Sequence, residues 1–272
     1  MTARAQKSPR QLTRLLATLG VATMATLGVV ATASAEEAAA NYVALGDSYA
    51  SGTGAGDYGD SGACKRSANS YPQLWANAHS PASFSFDACS GAVTSDVLSG
   101  QLGSLNADTT LVSISIGGND AGFVDVMIDC TLSSDQGCID RVEEAKAFAN
   151  GELPGRLDNV YSQIKSKAPN AELVVLNYPH FYEIGGSCNG GLSDVKREAI
   201  NGGSDALSEV ISSRASAAGA KFADVRGNFS GHGICSDDWW LHSVRVPVDE
   251  SYHPNAAGHS GGYLPALTAV TG

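Results

Sequence analysis

The sequence predicts an α/β protein, a three-layer α/β/α sandwich in which helices cover both faces of one parallel five-stranded sheet. Short apolar runs typical of buried strands alternate along the chain with segments whose apolar residues recur at helical spacing. Strands that alternate with helices form parallel sheets, because each crossover must return the chain to the same end of the sheet. The 237 residues after position 35 are enough for one well-buried core, so we expect a single domain over 36–272.

Five segments carry the strand pattern. The first stops at Gly46, and the clearest one stops at Gly117. In chain order, strands are predicted over residues 42–45, 83–88, 111–116, 172–176 and 221–225. Helices are predicted over residues 71–78, 139–148, 157–167, 195–218 and 256–270. Pro265 is a candidate break in the last of these helices, because proline lacks the backbone N–H of a helix interior.

The first 35 residues have the pattern of a secretory signal peptide. Four basic residues lie within positions 4–14, an apolar stretch follows over 15–30, and Ala33, Ser34 and Ala35 form a small-x-small cleavage site. The alternative is a membrane anchor, but the 16 apolar-region residues are fewer than the roughly 20 that cross a bilayer. We therefore expect a secreted protein without stable membrane insertion.

The remaining body of the protein is acidic. The whole chain carries a formal net charge of −11, and without its first 35 residues 13 basic and 28 acidic residues remain, a net charge of −15. Such a surface lacks the basic patch that binds nucleic acid. An anionic membrane would also repel it, so any contact with lipid must be mainly apolar.

Six cysteines in an exported chain predict three disulfide bonds. Short loops close at lower entropic cost, so sequence proximity favours the pairs Cys64–Cys89, Cys130–Cys138 and Cys188–Cys235. The sequence contains neither a C-x-x-C nor an H-E-x-x-H motif. It therefore gives no indication of a zinc site or of a thioredoxin-like redox site.

Polar residues with catalytic chemistry follow the predicted strands, at the sheet edge where parallel α/β proteins bind ligands. Ser48 comes directly after Gly46 and Asp47, and a serine hydroxyl becomes a nucleophile when a base such as histidine takes its proton. The backbone N–H groups of Ser48 and Gly91 and the side-chain amide of Asn119 could stabilise the resulting oxyanion. His253 is the candidate base.

Two other residues compete for these roles. Ser61 lies in a second Gly-Asp-Ser segment and resembles the nucleophile of trypsin-like proteases, but those enzymes place their histidine before the serine. The first histidine in this chain is His79, which comes after Ser61, so Ser61 does not have the residue order of those proteases. His180 follows Pro179 at a predicted strand end and is the main rival of His253.

The segments Gly46-Asp47-Ser48, Gly91, Gly117-Gly118-Asn119-Asp120 and His253-Pro254 resemble, in order, the four sequence blocks of the SGNH (GDSL) hydrolases. The chain is most similar to the secreted bacterial branch that contains lipases and phospholipases A1. This resemblance implies a flavodoxin-like sandwich and ester hydrolysis without a cofactor. It implies that Ser48 is the nucleophile, that His253 is the base, and that Ser48, Gly91 and Asn119 form the oxyanion hole.

The group that orients His253 departs from the family pattern. The family often has an aspartate three residues before the histidine, where this chain has Glu250. In some relatives of the secreted branch a backbone carbonyl takes this role, and here it would belong to Ser251. We favour the Ser251 carbonyl and keep Glu250 as the alternative.

The expected function is secreted hydrolysis of lipid acyl esters, through an acyl-enzyme on Ser48, by a monomer. The alternatives are a carbohydrate acetyl esterase and a non-catalytic secreted binding module, because one fold can host several functions. Acyl-chain length, head-group preference and scissile position are left open by the sequence.

Overall fold

The structure is a computed structural model that describes residues 39–186, 188 and 191–272. The predicted signal peptide over 1–35 lies outside the described residues. The strands are β1 (Asn41–Gly46), β2 (Ser83–Phe86), β3 (Leu111–Ser115), β4 (Glu172–Leu176) and β5 (Lys221–Ala223). The helices are α1 (Ser48–Ser51), α2 (Tyr71–His79), α3 (Thr94–Asp96), α4 (Phe123–Leu132), α5 (Asp135–Gly151), α6 (Leu153–Lys167), α7 (Asp194–Ala217) and α8 (Leu264–Thr271).

The five strands form one parallel sheet in the order β2-β1-β3-β4-β5. This is the strand order of flavodoxin-like folds. Right-handed crossovers then place the connection from β1 to β2 on one face and the following connections on the other. Accordingly, α2 packs against α8, while α5 and α6 pack against α7. The predicted three-layer α/β fold is confirmed.

The central strands consist of apolar residues because both of their faces are covered. All residues of β3 are buried, and Val112 and Ile114 have no exposed surface. Within the described residues, no helix combines the length and the hydropathy that crossing a bilayer requires.

The helix α4 was not among the predicted elements, and the predicted break at Pro265 is wrong. Residues Gly258–Tyr263 form a π-helical turn, and α8 starts directly after it at Leu264. Pro265 therefore lies in the first turn of α8, and the backbone N–H of Leu264 before it donates to the carbonyl of His259, so helical winding continues up to the proline.

Three disulfide bonds join the predicted partners Cys64–Cys89, Cys130–Cys138 and Cys188–Cys235. The first of them connects the loop after α1 to the loop after β2. The backbone N–H of Ser90 donates to the carbonyl of Cys64 at 3.0 Å beside this bond. The segment that leads into Gly91 is therefore fixed against the loop that follows Ser48.

Candidate active site

Ser48 lies at the end of β1, in a turn that requires glycine before it. Gly46 has a φ of +124°, and a Cβ atom there would lie 2.3 Å from the carbonyl oxygen of Ser115 in β3. Asp47 caps α1, because its carboxylate accepts the backbone N–H of Tyr49 at 3.0 Å. The turn therefore places the Ser48 side chain at the carboxyl edge of the sheet, with 5% of its surface exposed.

The hydroxyl group of Ser48 contacts the ring of His253, although 205 positions separate the two residues. The distance from Oγ to Nε2 is 2.7 Å. Burial of the imidazole lowers the pKa of His253 from 6.5 to about 4. The ring is therefore neutral at pH 7, and its unprotonated Nε2 can accept the serine proton.

The second ring nitrogen of His253 is bonded to the backbone. Its Nδ1 atom lies 2.9 Å from the carbonyl oxygen of Ser251. This carbonyl can only accept, so Nδ1 carries the proton and Nε2 is the acceptor that faces Ser48. The neighbouring loop is fixed in turn, since the hydroxyl of Tyr49 donates to the carbonyl of Tyr252 at 2.6 Å.

Glu250 has other partners. Its Oε1 atom accepts the hydroxyl of Tyr58 at 2.8 Å, and its carboxylate lies 3.4 Å from Nζ of Lys65 and 3.5 Å from Nη2 of Arg245. Within the described part of the chain it forms no hydrogen bond with His253. Of the two orienting groups considered from the sequence, the structure brings the Ser251 carbonyl to the ring and leaves Glu250 as an anchor of the surrounding loops.

Two candidate oxyanion donors, Gly91 and Asn119, lie on the segments that follow β2 and β3, and of these Asn119 lines the cleft at Ser48. The side-chain amide of Asn119 donates to the carbonyl of Ala92 at 2.9 Å, which joins the loop after β3 to the segment that carries Gly91. That segment is also bound to β1, because the N–H of Cys89 donates to the carbonyl of Gly46 at 3.0 Å. One amide hydrogen of Asn119 remains for a ligand.

Asp120, next in the chain, stabilises the same junction. Its carboxylate accepts the backbone N–H of Thr94 at 2.9 Å and the hydroxyl of Thr94 at 2.6 Å. Arg156 of α6 donates to the same carboxylate at 3.3 Å. The loop that presents Asn119 is thus held by Thr94 and Arg156.

Sequence reasoning missed Tyr178, which follows β4 and joins two loops of the site. Its buried hydroxyl donates to Oδ2 of Asp47 at 2.5 Å and accepts the backbone N–H of Gly118 at 3.0 Å. Burial raises the pKa of Asp47 to about 7, while the hydrogen bonds from Tyr178 and Tyr49 act in the opposite direction. No sequence motif marks a tyrosine 131 positions from its partner.

Ser61 and His180, which competed with Ser48 and His253 in the sequence, form hydrogen bonds with other partners. The hydroxyl of Ser61 donates to the carbonyl of Tyr58 at 2.6 Å, and His180 pairs with Asp205 at 2.8 Å on the surface. His259 is fully buried, and its Nδ1 atom accepts the backbone N–H of Tyr71 at 3.3 Å. Among the described residues, neither histidine forms a hydrogen bond with a serine hydroxyl.

A narrow apolar cleft opens at Ser48 and Asn119 and runs between α5 and α7. Its accessible volume is about 70 Å³, so it is a narrow cleft rather than a wide cavity. The site therefore combines a serine hydroxyl, a neutral imidazole and the amide of Asn119 with a concave apolar surface.

Comparison with known proteins identifies the family of this chain. Residues 44–260 match the sequence profile of the GDSL-like Lipase/Acylhydrolase family. The chain is 56% identical to Lipase 1 of Streptomyces coelicolor over 264 residues, which cover 96% of this chain and 98% of that protein.

Two solved structures are similar over nearly their full length. A phospholipase A1 from Streptomyces albidoflavus superposes with a TM-score of 0.83 at 59% identity and covers 85% of this chain and 99% of its own. An extracellular lipase from Streptomyces rimosus superposes with a TM-score of 0.84 at 53% identity and covers 86% of this chain and 100% of its own. The chain is therefore an ester hydrolase that belongs to the GDSL-like lipase/acylhydrolase family.

Proposed function

We propose that this protein is an exported serine esterase that hydrolyses the acyl esters of lipids, of the lipase or phospholipase A1 type. The 2.7 Å hydrogen bond between Ser48 and His253 is the observation that supports its mechanism. Lipid as the substrate class is supported by the apolar cleft at Ser48 and by the names of the relatives. Export of a mature chain over 36–272 is supported by the three disulfide bonds.

In the first half of the reaction, Ser48 attacks the ester carbonyl carbon while its proton moves to Nε2 of His253. The N–H groups of Ser48 and Gly91 and the amide of Asn119 stabilise the oxyanion of the tetrahedral intermediate. His253 then donates the proton to the oxygen of the leaving alcohol. The acyl group stays on Ser48.

In the second half, His253 takes a proton from water, and the hydroxide formed attacks the acyl-enzyme. Collapse of the second tetrahedral intermediate releases the fatty acid and returns the proton to Ser48. The Ser251 carbonyl keeps the ring in the required tautomer throughout. The protein acts as a monomer and needs no cofactor for any of these steps.

The test is a substrate panel of p-nitrophenyl esters, phosphatidylcholine vesicles and acetylated xylan, assayed with the wild type and with Ser48→Ala. We expect turnover of the acyl esters and of phosphatidylcholine, and loss of turnover in Ser48→Ala. Turnover of acetylated xylan alone would favour the carbohydrate esterase. A serine-directed phosphonate separates a binding module from an enzyme, because a module would leave Ser48 unlabelled.

A further inference from the structure

The cleft that opens at Ser48 is built from matching faces of two helices. Four residues of α5 and four of α7 line it with the same i, i+3, i+4, i+7 spacing: Val142, Ala145, Lys146, Ala149, Ile200, Gly203, Ser204 and Leu207. Residues at this spacing share one side of a helix. The two helices therefore face each other across a slot whose walls are almost entirely apolar.

Small residues keep this slot open. Ala145 and Ala149 lie on the α5 wall, and Gly203 lies opposite on the α7 wall. A Cβ atom at Gly203 would be 3.2 Å from Cγ1 of Val142, so an added carbon would press against the side chain on the opposite wall. Lys146 also lines the slot, and Glu143 holds its ammonium group at 2.9 Å.

The position of His253 decides which half of an ester enters the slot. In the reaction, the leaving oxygen must lie near Nε2 of His253, which donates its proton, and the carbonyl oxygen must lie near Asn119. Ser48 and Asn119 line the slot, whereas His253 is outside its lining in the described part of the chain. The alcohol therefore leaves on the side of His253, and the acyl chain extends into the slot.

We propose that the slot between α5 and α7 binds an unbranched fatty acyl chain, and that Ala145 and Gly203 limit the length of chain that it accepts. This inference rests on the proposed function and adds to it a location and a length limit for the acyl group. The α5–α7 slot is narrow, which suits a single extended hydrocarbon chain.

The expected selectivity follows from hydrophobic transfer. Each methylene that moves from water into the slot favours the reaction by about fourfold in kcat/KM, until the slot is full. The Ala145→Leu substitution adds three carbons and displaces about three methylenes. It therefore lowers kcat/KM for a chain that fills the slot, relative to kcat/KM for acetate, roughly 60-fold. An alanine at position 203 adds one carbon and lowers the preference about fourfold.

The experiment measures kcat/KM on p-nitrophenyl acetate, butyrate, octanoate and dodecanoate for the wild type, Ala145→Leu and Gly203→Ala. Ala147→Leu is the matched control, because Ala147 is exposed on the same helix and does not line the slot. Titration of Ser48 with a phosphonate gives the concentration of active sites, and circular dichroism reports folding. The profile is repeated with vinyl esters to change the alcohol.

We expect the ratio of kcat/KM on octanoate to that on acetate to fall roughly 60-fold in Ala145→Leu and to stay at its wild-type value in Ala147→Leu. The same fall should occur with vinyl esters, since the alcohol lies outside the slot. An unchanged ratio in a folded Ala145→Leu protein would overturn the inference, as would an equal fall in Ala147→Leu.

If the Ala145→Leu variant does not fold, the Gly203→Ala variant provides the test, because it narrows the slot from the other helix. An unchanged octanoate-to-acetate ratio in that variant would also overturn the inference. Failure of the proposed function has a different signature, namely a wild type that neither hydrolyses these esters nor reacts with the phosphonate.

Discussion

The Nδ1 atom of His253 lies 2.9 Å from the carbonyl oxygen of Ser251, two residues earlier in the chain. A carbonyl fixes the tautomer of the imidazole as well as a carboxylate does, but it carries no full negative charge to stabilise the imidazolium. Glu250, which stands at the usual acidic position three residues before His253, binds Tyr58 instead. The structure thus pairs Ser48 with His253 and gives the histidine a backbone partner.

Replacement of Glu250 by glutamine is expected to change kcat/KM less than roughly 10-fold. In triads with an orienting carboxylate, the matching change costs about 10⁴-fold. Stability should fall instead, by about 1–3 kcal/mol, because Lys65 and Arg245 lose the buried carboxylate that pairs with them. Steady-state kinetics and thermal unfolding measure the two effects.

Asp249→Asn is the control, since the exposed Asp249 also pairs with Lys65. A loss of 10³-fold or more in Glu250→Gln would refute the carbonyl assignment.

The pH dependence of kcat/KM should have its acid limb below pH 6.5. Burial lowers the pKa of His253 to about 4, and the neutral ring is the form that accepts the proton of Ser48. The ring therefore stays active as pH falls past 6.5 and loses activity as pH falls towards 4. Because the folded pKa is below the unfolded one, the same protonation also removes stability over this interval. Activity regained at pH 7 separates titration from unfolding, and an acid limb at or above 6.5 would contradict the expectation.

Tyr178→Phe should lower kcat by about 10- to 100-fold while KM stays within a few fold. The hydroxyl of Tyr178 joins Asp47, beside the nucleophile, to Gly118, beside Asn119, and small displacements of oxyanion donors reduce rate more than binding. Tyr263→Phe is the control, because it removes another buried hydroxyl, bonded to the carbonyl of Asn177 at 2.9 Å. Equal loss of kcat in both variants would show that the role of Tyr178 is only structural.

The sheet could be predicted from the sequence because buried parallel strands consist of continuous apolar runs. The strand predicted over 172–176 is β4 with the same bounds, and the other four differ from the prediction by a few residues at their ends. The helix α4 was missed because Phe123, Val124, Val126 and Ile128 favour strand as much as helix. Its N-terminal neighbour Gly122 also offers no capping side chain.

The candidate site was predictable where short motifs follow strands, as at Ser48 and Asn119. The sequence favoured the Ser251 carbonyl as the partner of His253 and kept Glu250 as the alternative, because the choice between them depends on which way one loop turns. Tyr178 and the slot between α5 and α7 could not be predicted, since they exist only when distant segments pack together. In the sequence, small residues such as Ala145 and Gly203 cannot be told apart from those at ordinary helix-packing positions.

The disulfide bond between Cys64 and Cys89 should matter for both stability and rate. It fixes the segment before Gly91, and the hydroxyl of Thr53 adds a hydrogen bond to that of Ser90 at 2.9 Å. Replacing both cysteines by serine is expected to cost about 2–4 kcal/mol in the free energy of unfolding, because the unfolded chain gains freedom. The turnover of p-nitrophenyl acetate should fall by about 10-fold, because the N–H of Gly91 is held less firmly.

The matched control replaces Cys130 and Cys138, whose bond connects α4 to α5. That variant should lose stability while kcat on the acetate ester, which does not fill the slot, remains near the wild-type value. Denaturant unfolding and kcat per titrated Ser48 measure the two quantities separately. If removal of either disulfide lowered kcat equally, the rate effect would reflect general loosening of the fold. A fall in kcat that is confined to the Cys64–Cys89 variant would instead show that the rate effect arises at the segment that carries Gly91.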